Sequence, residues 1–258
     1  MQAGAITGYI DVAQVVLYAF WIFFAGLILY LRREDKREGY PLESDLSDRI
    51  VVQGFPALPD AKTFLMRNGS TVSAPSGKAD TRSVRAEPAG PWPGAPLVPT
   101  GDPMLDGVGP ASYANRADVA DLTYDGRPKI VPLRVATDFS IDKTDADPRG
   151  MEVLGADKRV AGVVSDVWVD RSESLIRYLE VDVSTPNGGG LVLLPMNFAK
   201  VDSRRRVVRV QAILSRHFAQ VPRLRNPDQV TFLEEERIVA YFGGGTLYAE
   251  PSRAEPLL

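Results

Sequence analysis

Cysteine is absent and histidine occurs once, at His217. The first absence excludes disulfides, thiolate metal sites, iron–sulfur clusters and cysteine catalysis. The second excludes multi-histidine metal sites and histidine-ligated pigment arrays within this chain, and leaves only a Ser–His–Asp triad formally open. A basic excess is also missing, since 30 Lys and Arg face 33 Asp and Glu, so no global charge points to nucleic acid. Long apolar runs are scarce, and only one approaches membrane length. What is abundant is punctuation: 22 Gly and 20 Pro in 258 residues predict many turns and little helix. At 45% hydrophobic and 24% charged the composition is globular, which excludes a wholly disordered chain.

The one apolar run spans residues 12–31, where Gln14 is the only polar side chain and no residue is charged. A helix of that length rises about 30 Å, the thickness of the hydrocarbon core. Tyr9 and Tyr30 sit at its ends, where amphipathic rings favour the interface. A signal peptide has positive charge before the run and small residues after it. Here Asp11 precedes, and Arg32, Arg33, Lys36 and Arg37 follow. The order favours a retained single-pass anchor with residues 1–11 outside and the remainder cytoplasmic. The charged stretch to Tyr40 extends the helix a turn or two beyond the bilayer, and its basic residues suit anionic headgroups. The aromatic stretch from Tyr18 to Phe24, followed by Ala25 and Gly26, fits either close helix packing or a lipid-facing surface.

Residues 32–111 form an irregular membrane-proximal region. Asn68-Gly69 between short apolar fragments signals a hairpin. Glu87 to Pro110 is rich in Pro and Gly, as a flexible linker would be. Its Trp92, Leu97, Val98, Met104, Leu105 and Val108 argue instead for an extended strap laid on another surface, which hints at a partner protein.

In residues 112–258 the pattern turns to β. Strands are expected at Ile130 to Val135, Val160 to Asp170, Leu175 to Val183, Leu191 to Leu194 and Arg206 to Leu214. Turns lie at Arg171 to Ser174, Asn187 to Gly190 and Asp202 to Arg204. Alternation places Val163, Val167 and Val169 on one face and Asp166, Trp168 and Asp170 on the other. In the next strand Leu179, Val181 and Val183 point inward, and Glu180 and Asp182 point outward. Strands at this spacing, over about residues 129–225, imply a small closed or nearly closed antiparallel barrel. Thr231 and Glu234 form a capping-box pattern, so a short helix is expected at 232–242, ending at Gly243-Gly244-Gly245.

Enzymatic signals are weak. The glycine triplet follows a helix and lacks the Lys-Ser/Thr ending of a phosphate loop. Arg204, Arg205, Arg206 and Arg209 read as a solvated hairpin before a nucleic-acid or lipid site. His217 has no Gly-x-Ser-x-Gly nucleophile motif to serve, and reads as structural. The carboxylates Asp166, Asp170, Glu173, Glu180 and Asp182 cluster along one hairpin with Arg177 nearby. As ordinary strand faces they are solvated. Buried by a membrane partner, coupled carboxylates could pass protons.

Several motifs in order carry a resemblance over essentially the whole length. They are Tyr30-Leu31-Arg32-Arg33-Glu34-Asp35, Arg37-Glu38-Gly39-Tyr40-Pro41-Leu42, Pro99-Thr100-Gly101-Asp102-Pro103 and Asp106-Gly107-Val108-Gly109-Pro110-Ala111-Ser112-Tyr113. Later come Val167-Trp168-Val169-Asp170, Arg177-Tyr178-Leu179-Glu180-Val181 and Leu233-Glu234-Glu235-Glu236 through Gly244-Gly245-Thr246-Leu247-Tyr248-Ala249. The chain thereby resembles the H (heavy) subunit family of the photosynthetic reaction centres of purple bacteria. The resemblance implies a single transmembrane helix, an irregular strap, a mainly β cytoplasmic domain of the PRC-barrel type and a short C-terminal helix. It implies a non-enzymatic subunit of the bacterial inner, photosynthetic intracytoplasmic membrane, with the N-terminus periplasmic. Such a subunit binds no cofactor alone. It caps the L and M chains, which hold bacteriochlorophyll, bacteriopheophytin, quinones and a non-haem iron. It shields the quinone and iron region from water and assists proton delivery to the secondary quinone.

The family's proton route uses a glutamate matching Glu173. Asp170 and Arg177 are expected beside it in the polar network. Some relatives carry histidines in the loop matching Asp125-Gly126-Arg127, so here either Asp125 serves for proton entry or the entry lies elsewhere. Tyr30, Arg32 and Arg33 match a lipid-contacting end of the anchor. Membrane lipids are expected partners and nucleic acid is not, while antenna polypeptides and a cytochrome subunit stay open. The rival reading is a membrane-tethered PRC-barrel adaptor or assembly factor without photochemistry. A hydrolase built on His217 comes a distant third.

Overall fold

A computed structural model describes residues 4, 6–7, 10–40, 42, 54–67, 69–76, 80–183 and 189–254. Tyr9, Asn68, Asn187 and Gly188 lie outside the described residues. The chain divides into two compact units, Met1–Thr81 with Trp92–Gly94, and Arg82–Pro91 with Ala95–Leu258.

In the first unit, helix α1 (Val12–Asp35) carries the apolar run, with a mean hydropathy of 2.3, and none of its residues is buried. Its exposed surface is aromatic and aliphatic, as a bilayer requires; Phe20, Trp21 and Phe24 contact one another through their rings. The first turn is closed by a capping box, in which Gln14 N–H donates to Asp11 Oδ1 at 2.8 Å and Asp11 N–H donates to Gln14 Oε1 at 3.2 Å. This satisfies amide groups that would otherwise be orphaned at the helix start. At the other end the helix continues past Leu31 to Asp35, and there the charged residues become structural. Arg37 forks onto Glu34 at 2.8 and 3.0 Å and donates at 2.8 Å to the carbonyls of Asp60 and Ala74. Lys62 reaches Glu34 at 2.8 Å. Lys36 is buried, with its ammonium on the Pro56 carbonyl and 5.2 Å from the Tyr40 ring centroid. These contacts dock a short antiparallel hairpin, β1 (Lys62–Leu65) and β2 (Thr71–Ala74), to the helix end.

The second unit begins with a small ribbon, β3 (Ala86–Pro88) against β4 (Leu97–Pro99), and a one-turn helix α2 (Pro103–Asp106) capped by Asp102. The main sheet follows: β5 (Ile130–Pro132), β6 (Glu152–Leu154), β7 (Val160–Asp170), β8 (Leu175–Val183), β9 (Gly190–Pro195), β10 (Ala199–Asp202) and β11 (Val207–Val210). Its order is β10-β11-β6-β7-β8-β9, with β5 pairing to the far half of β7. Every pair is antiparallel except β11 with β6. Among the described residues no ladder joins β9 to β10, so the curled sheet is a half-barrel rather than a closed one, around Val153, Val167, Leu179, Val181, Leu194, Val208 and Val210.

Two departures from strict alternation decide where the polar residues go. The β7–β8 ladder shifts register between Val164 and Asp166 and again between Trp168 and Val169. Each bulge adds a residue to one strand and resets which side chains face the core. Val163, expected inside, is therefore 41% exposed. Asp166, Trp168 and Asp170, expected on an outer face, are buried at 6%, 0% and 1% exposure, and Glu180 is buried at 3%. From Asp166 to Asp170 the strand is covered on both faces.

The C-terminal helix, expected over 232–242, runs instead as α3 (Phe232–Tyr248), straight through Gly243, Gly244 and Gly245. Its start is as expected, with Thr231 and Glu234 in a reciprocal capping box. The glycines serve packing rather than termination. A Cβ on Gly244 would lie 2.5 Å from the Ala111 Cβ, and one on Gly245 would lie 2.3 Å from Ile213 Cγ2 and 2.7 Å from the Ala212 carbonyl oxygen. Phe242 then stacks on Phe198 and meets Phe218 edge-on in the core. In an open helix, Gly→Ala stabilises by about 1 kcal/mol. Gly245→Ala should do the reverse and destabilise the folded domain by about 1–3 kcal/mol through overpacking. Thermal unfolding of the two proteins reads the sign directly.

Candidate functional site

The turn between β7 and β8 is built by Asp170. Its Oδ1 accepts the backbone N–H groups of Ser172 at 2.9 Å and Glu173 at 3.0 Å, an Asx turn that lets Ser174 adopt a positive φ of 53°. Its other oxygen, Oδ2, is buried and finds no directed hydrogen bond; its neighbour is the Lys129 ammonium at 3.2 Å. Lys129 immediately precedes β5, whose Ile130 pairs with Asp170. The same ammonium lies 3.3 Å from Glu173 Oε1 and 3.8 Å from Asp121 Oδ2. Burial alone would lower the Lys129 pKa, but the neighbouring carboxylates of Asp170 and Glu173 outweigh it and the net direction is up. One cation thus joins a buried carboxylate, Asp170, to a half-exposed one, Glu173, which leads outward to solvent.

Asp125 occupies the tip of the neighbouring loop, in which Thr123 N–H bonds to the Arg127 carbonyl and Lys129 N–H bonds to that of Asp121. It is exposed, accepting from the Thr123 hydroxyl and the Arg127 guanidinium, each at 2.5 Å. Those two donors, in that order, hold its carboxyl below the ordinary range. Arg127 therefore neutralises the very group expected to receive protons. Arg177 does not join Asp170 and Glu173 in any hydrogen bond or ion pair among the described residues. Its charge acts instead on Glu235, whose Oε1 accepts from the Tyr178 hydroxyl at 2.7 Å. Burial raises the pKa of both partners in that bond; the Glu235 carboxylate raises the Tyr178 value further, while the bond from Tyr178 tempers the rise at Glu235.

Two of the other expected carboxylates, Asp166 and Glu180, form a separate, interior network, while Asp182 is exposed as its alternation predicts. Arg134 Nη1 lies 3.2 Å from Asp166 Oδ2 and 3.0 and 3.1 Å from the two oxygens of Glu180, while its Nε reaches Asp228 at 3.2 Å. Ser165 Oγ and Trp168 Nε1 donate to Glu180 at 2.8 and 3.1 Å, and Val167 N–H donates to Asp166 at 2.8 Å. Every acceptor in this buried cluster is matched, the condition under which buried charge is tolerated. Lys129 and Arg134 were both missed in the sequence. The only available sign was their position at the two ends of one short apolar strand, Ile130 to Leu133, facing a strand rich in carboxylates.

His217 is half-buried in a 3-10 turn, its ring taking the Leu214 N–H at 3.4 Å and its carbonyl accepting from the Tyr241 hydroxyl at 2.9 Å. Burial lowers its pKa, and these contacts are structural. Arg204, Arg205 and Arg206 lie in the exposed β10–β11 turn, whose capping acceptor is Asp202. Tyr30 is 56% exposed, with the Lys62 ammonium 6.0 Å from its ring; Arg32 and Arg33 have no side-chain partner among the described residues. No group of three His, Cys, Asp or Glu side chains able to hold a metal occurs among the described residues.

Among the described residues one helix is long and apolar enough to cross a membrane, and a curled β-domain follows it in the chain; a model of the PRC-barrel domain matches residues 141–216, which makes this a PRC-barrel protein. A second family model, the photosynthetic reaction centre H-chain N-terminal region, matches residues 4–135, half of the chain. The chain belongs to the photosynthetic reaction centre H-chain family, and is a reaction-centre subunit.

Two expectations follow from the polar networks. Arg134→Met should leave Asp166 and Glu180 buried without a counter-charge and cost about 3–5 kcal/mol in a denaturation measurement. Glu235 has a folded pKa raised above its ordinary 4.5, so its protonated form favours the fold. Its contribution is complete below that ordinary value and is lost as pH rises through the folded value. Glu235→Gln keeps an acceptor for Tyr178 and should flatten this part of the stability–pH curve, as followed by thermal midpoints across mildly acidic pH.

Proposed function

We propose that this subunit is a non-pigment-binding cap. It stabilises the L and M chains, shields the quinone and iron region from water, and assists proton delivery to the secondary quinone. In this reading α1 runs from a periplasmic N-terminus to a cytoplasmic β-domain, the arginine-rich end of the helix favouring that direction. Tyr30, Arg32 and Arg33 then lie at headgroup level, where exposed cations suit anionic lipids.

The observation that carries the proton role is the shared ammonium. Glu173 and Asp170 contact Lys129 Nζ at 3.3 and 3.2 Å, one carboxylate half-exposed and the other buried. A carboxylate at a surface turn can take a proton from solvent and release it to an acceptor on a partner chain, which restores the carboxylate. Quinone reduction to quinol consumes two electrons and two protons, and that chemistry belongs to the partner chains that hold the quinone. What this chain's residues do is carry a proton inward while the domain excludes bulk water. Asp125, paired with Arg127 at a solvent loop, and Arg177, whose charge acts on Glu235, bear on the relay through their charges rather than by carrying the proton.

Glu173→Gln keeps the shape of the turn and removes the titrating group. In the purified complex, proton-coupled reduction of the secondary quinone should slow at least about tenfold, within the usual range for a positioned proton-transfer group. Assembly and the near-infrared bacteriochlorophyll bands should be unchanged. A wild-type rate would exclude Glu173 from the route.

A further inference from the structure

We infer that Lys129 is the positioning residue of this proton relay: its ammonium holds Glu173 against the buried Asp170, so that the two carboxylates act as one coupled acceptor. The inference rests on the proposed proton role of Glu173 and adds to it a residue and a mode of control.

The backbone of Lys129 is held in place on both sides. Lys129 N–H donates to the Asp121 carbonyl at 2.7 Å, and the Lys129 carbonyl accepts from Arg171 N–H at 3.0 Å. Ile130 follows in register with Asp170. The backbone on both sides of Lys129 is therefore held to the two segments that carry its carboxylates. Its side chain is only 21% exposed, compared with 52% for Glu173. A lysine in that position has three N–H donors and three carboxylates around it, Asp121, Asp170 and Glu173, at 3.8, 3.2 and 3.3 Å. The remaining cation nearby, Arg171, is turned away onto the Pro128 carbonyl.

Three carboxylates around one ammonium leave an excess of negative charge when all are ionised. The shared ammonium offsets part of that charge and keeps the turn carboxylates together. Asp170 cannot relax to answer a change, because its Oδ1 is committed to the Ser172 and Glu173 amides and its Oδ2 has only Lys129. Glu173, by contrast, is exposed and has no other partner in the cluster. Removing the ammonium frees Glu173 to swing into solvent and leaves the carboxylates facing one another. A proton that does bind is then held to higher pH and released more slowly.

The test uses the intact reaction-centre complex and compares Lys129→Met, Lys129→Arg and Glu173→Gln. The readout is the rate of proton-coupled reduction of the secondary quinone as a function of pH. Lys129→Met should lower the plateau rate by about tenfold and move the alkaline fall of the profile upward by at least about one pH unit, the usual effect of losing one adjacent opposite charge. Lys129→Arg should restore both, since the cation is kept. In the Glu173→Gln background Lys129→Met should add little, because the two act through one group. Should Lys129→Met prevent assembly, Lys129→Gln carries the same comparison. A slowed Glu173→Gln complex beside a Lys129→Met complex with the wild-type rate and profile overturns this inference alone. So does a slowed Lys129→Met complex with an unmoved profile that arginine fails to rescue. A wild-type rate in Glu173→Gln removes the underlying proton role as well.

Discussion

The guanidinium of Arg134, set between Asp166 and Glu180, is what allows the β7–β8 ribbon to be buried on both faces. A strand pair covered on one face needs only alternating apolar residues. Once the second face is covered too, its polar side chains must be matched or removed. Here they are matched: Arg134 supplies the charge, and Ser165, Trp168 and the Val167 amide supply the remaining donors. Burial opposes the charge on Arg134, but its bonds to Glu180 and its proximity to Asp166 more than compensate, and its pKa is displaced upward. The rigid ribbon that results presents its end turn, with Asp170 and Glu173, in a fixed place beside Lys129. The interior network and the surface cluster thus divide four of the hairpin's carboxylates into two sets: Asp166 and Glu180 hold the sheet, and Asp170 and Glu173 shape and charge its end turn.

Much of this was legible in the residues. The apolar run with its one-sided basic flank gave the helix, and the charged residues after it gave the extension to Asp35. Strands at β7, β8, β9 and β11 fell where period-two patterns and turn residues placed them, and Thr231 with Glu234 marked the start of α3. The errors share a physical cause. Alternation predicts facing only while the ladder stays regular, and with two bulges in β7–β8 Val163 is exposed while Asp166, Trp168 and Asp170 are buried along with the expected Val167 and Val169. A glycine triplet predicts a helix stop only when nothing presses on it, and Ala111, Ala212 and Ile213 press on Gly244 and Gly245. The parallel β11–β6 pair joins segments far apart in the chain, and no local pattern encodes it.

The candidate site shows the same division. Glu173 and Asp170 were identified, and the structure brings them together at the turn. Arg177, adjacent in sequence, projects its influence toward Glu235 instead, and Asp125 is held by its own loop partners. Lys129 lies more than forty residues before Glu173 and meets it only because β5 pairs with β7, bringing Asp121 to the same ammonium. Sequence proximity selects the members of a turn. It does not select the residues that tertiary pairing delivers to it.

The capping box at Asp11 and Gln14 has a consequence for how deep the helix sits. Its carboxylate and amide are spent on the first-turn N–H groups, so the helix has a defined beginning that can neither unwind nor slip inward without exposing polar groups to hydrocarbon. From that fixed start, 24 residues rise roughly 36 Å, several ångströms more than a core of about 30 Å. The surplus emerges at the opposite end as the Arg32 to Asp35 turn, where Glu34 is gripped by Arg37 and Lys62. A cap at one end therefore works as a depth gauge for the other: it sets how many helical turns separate that start from the first contacts with the β1–β2 hairpin.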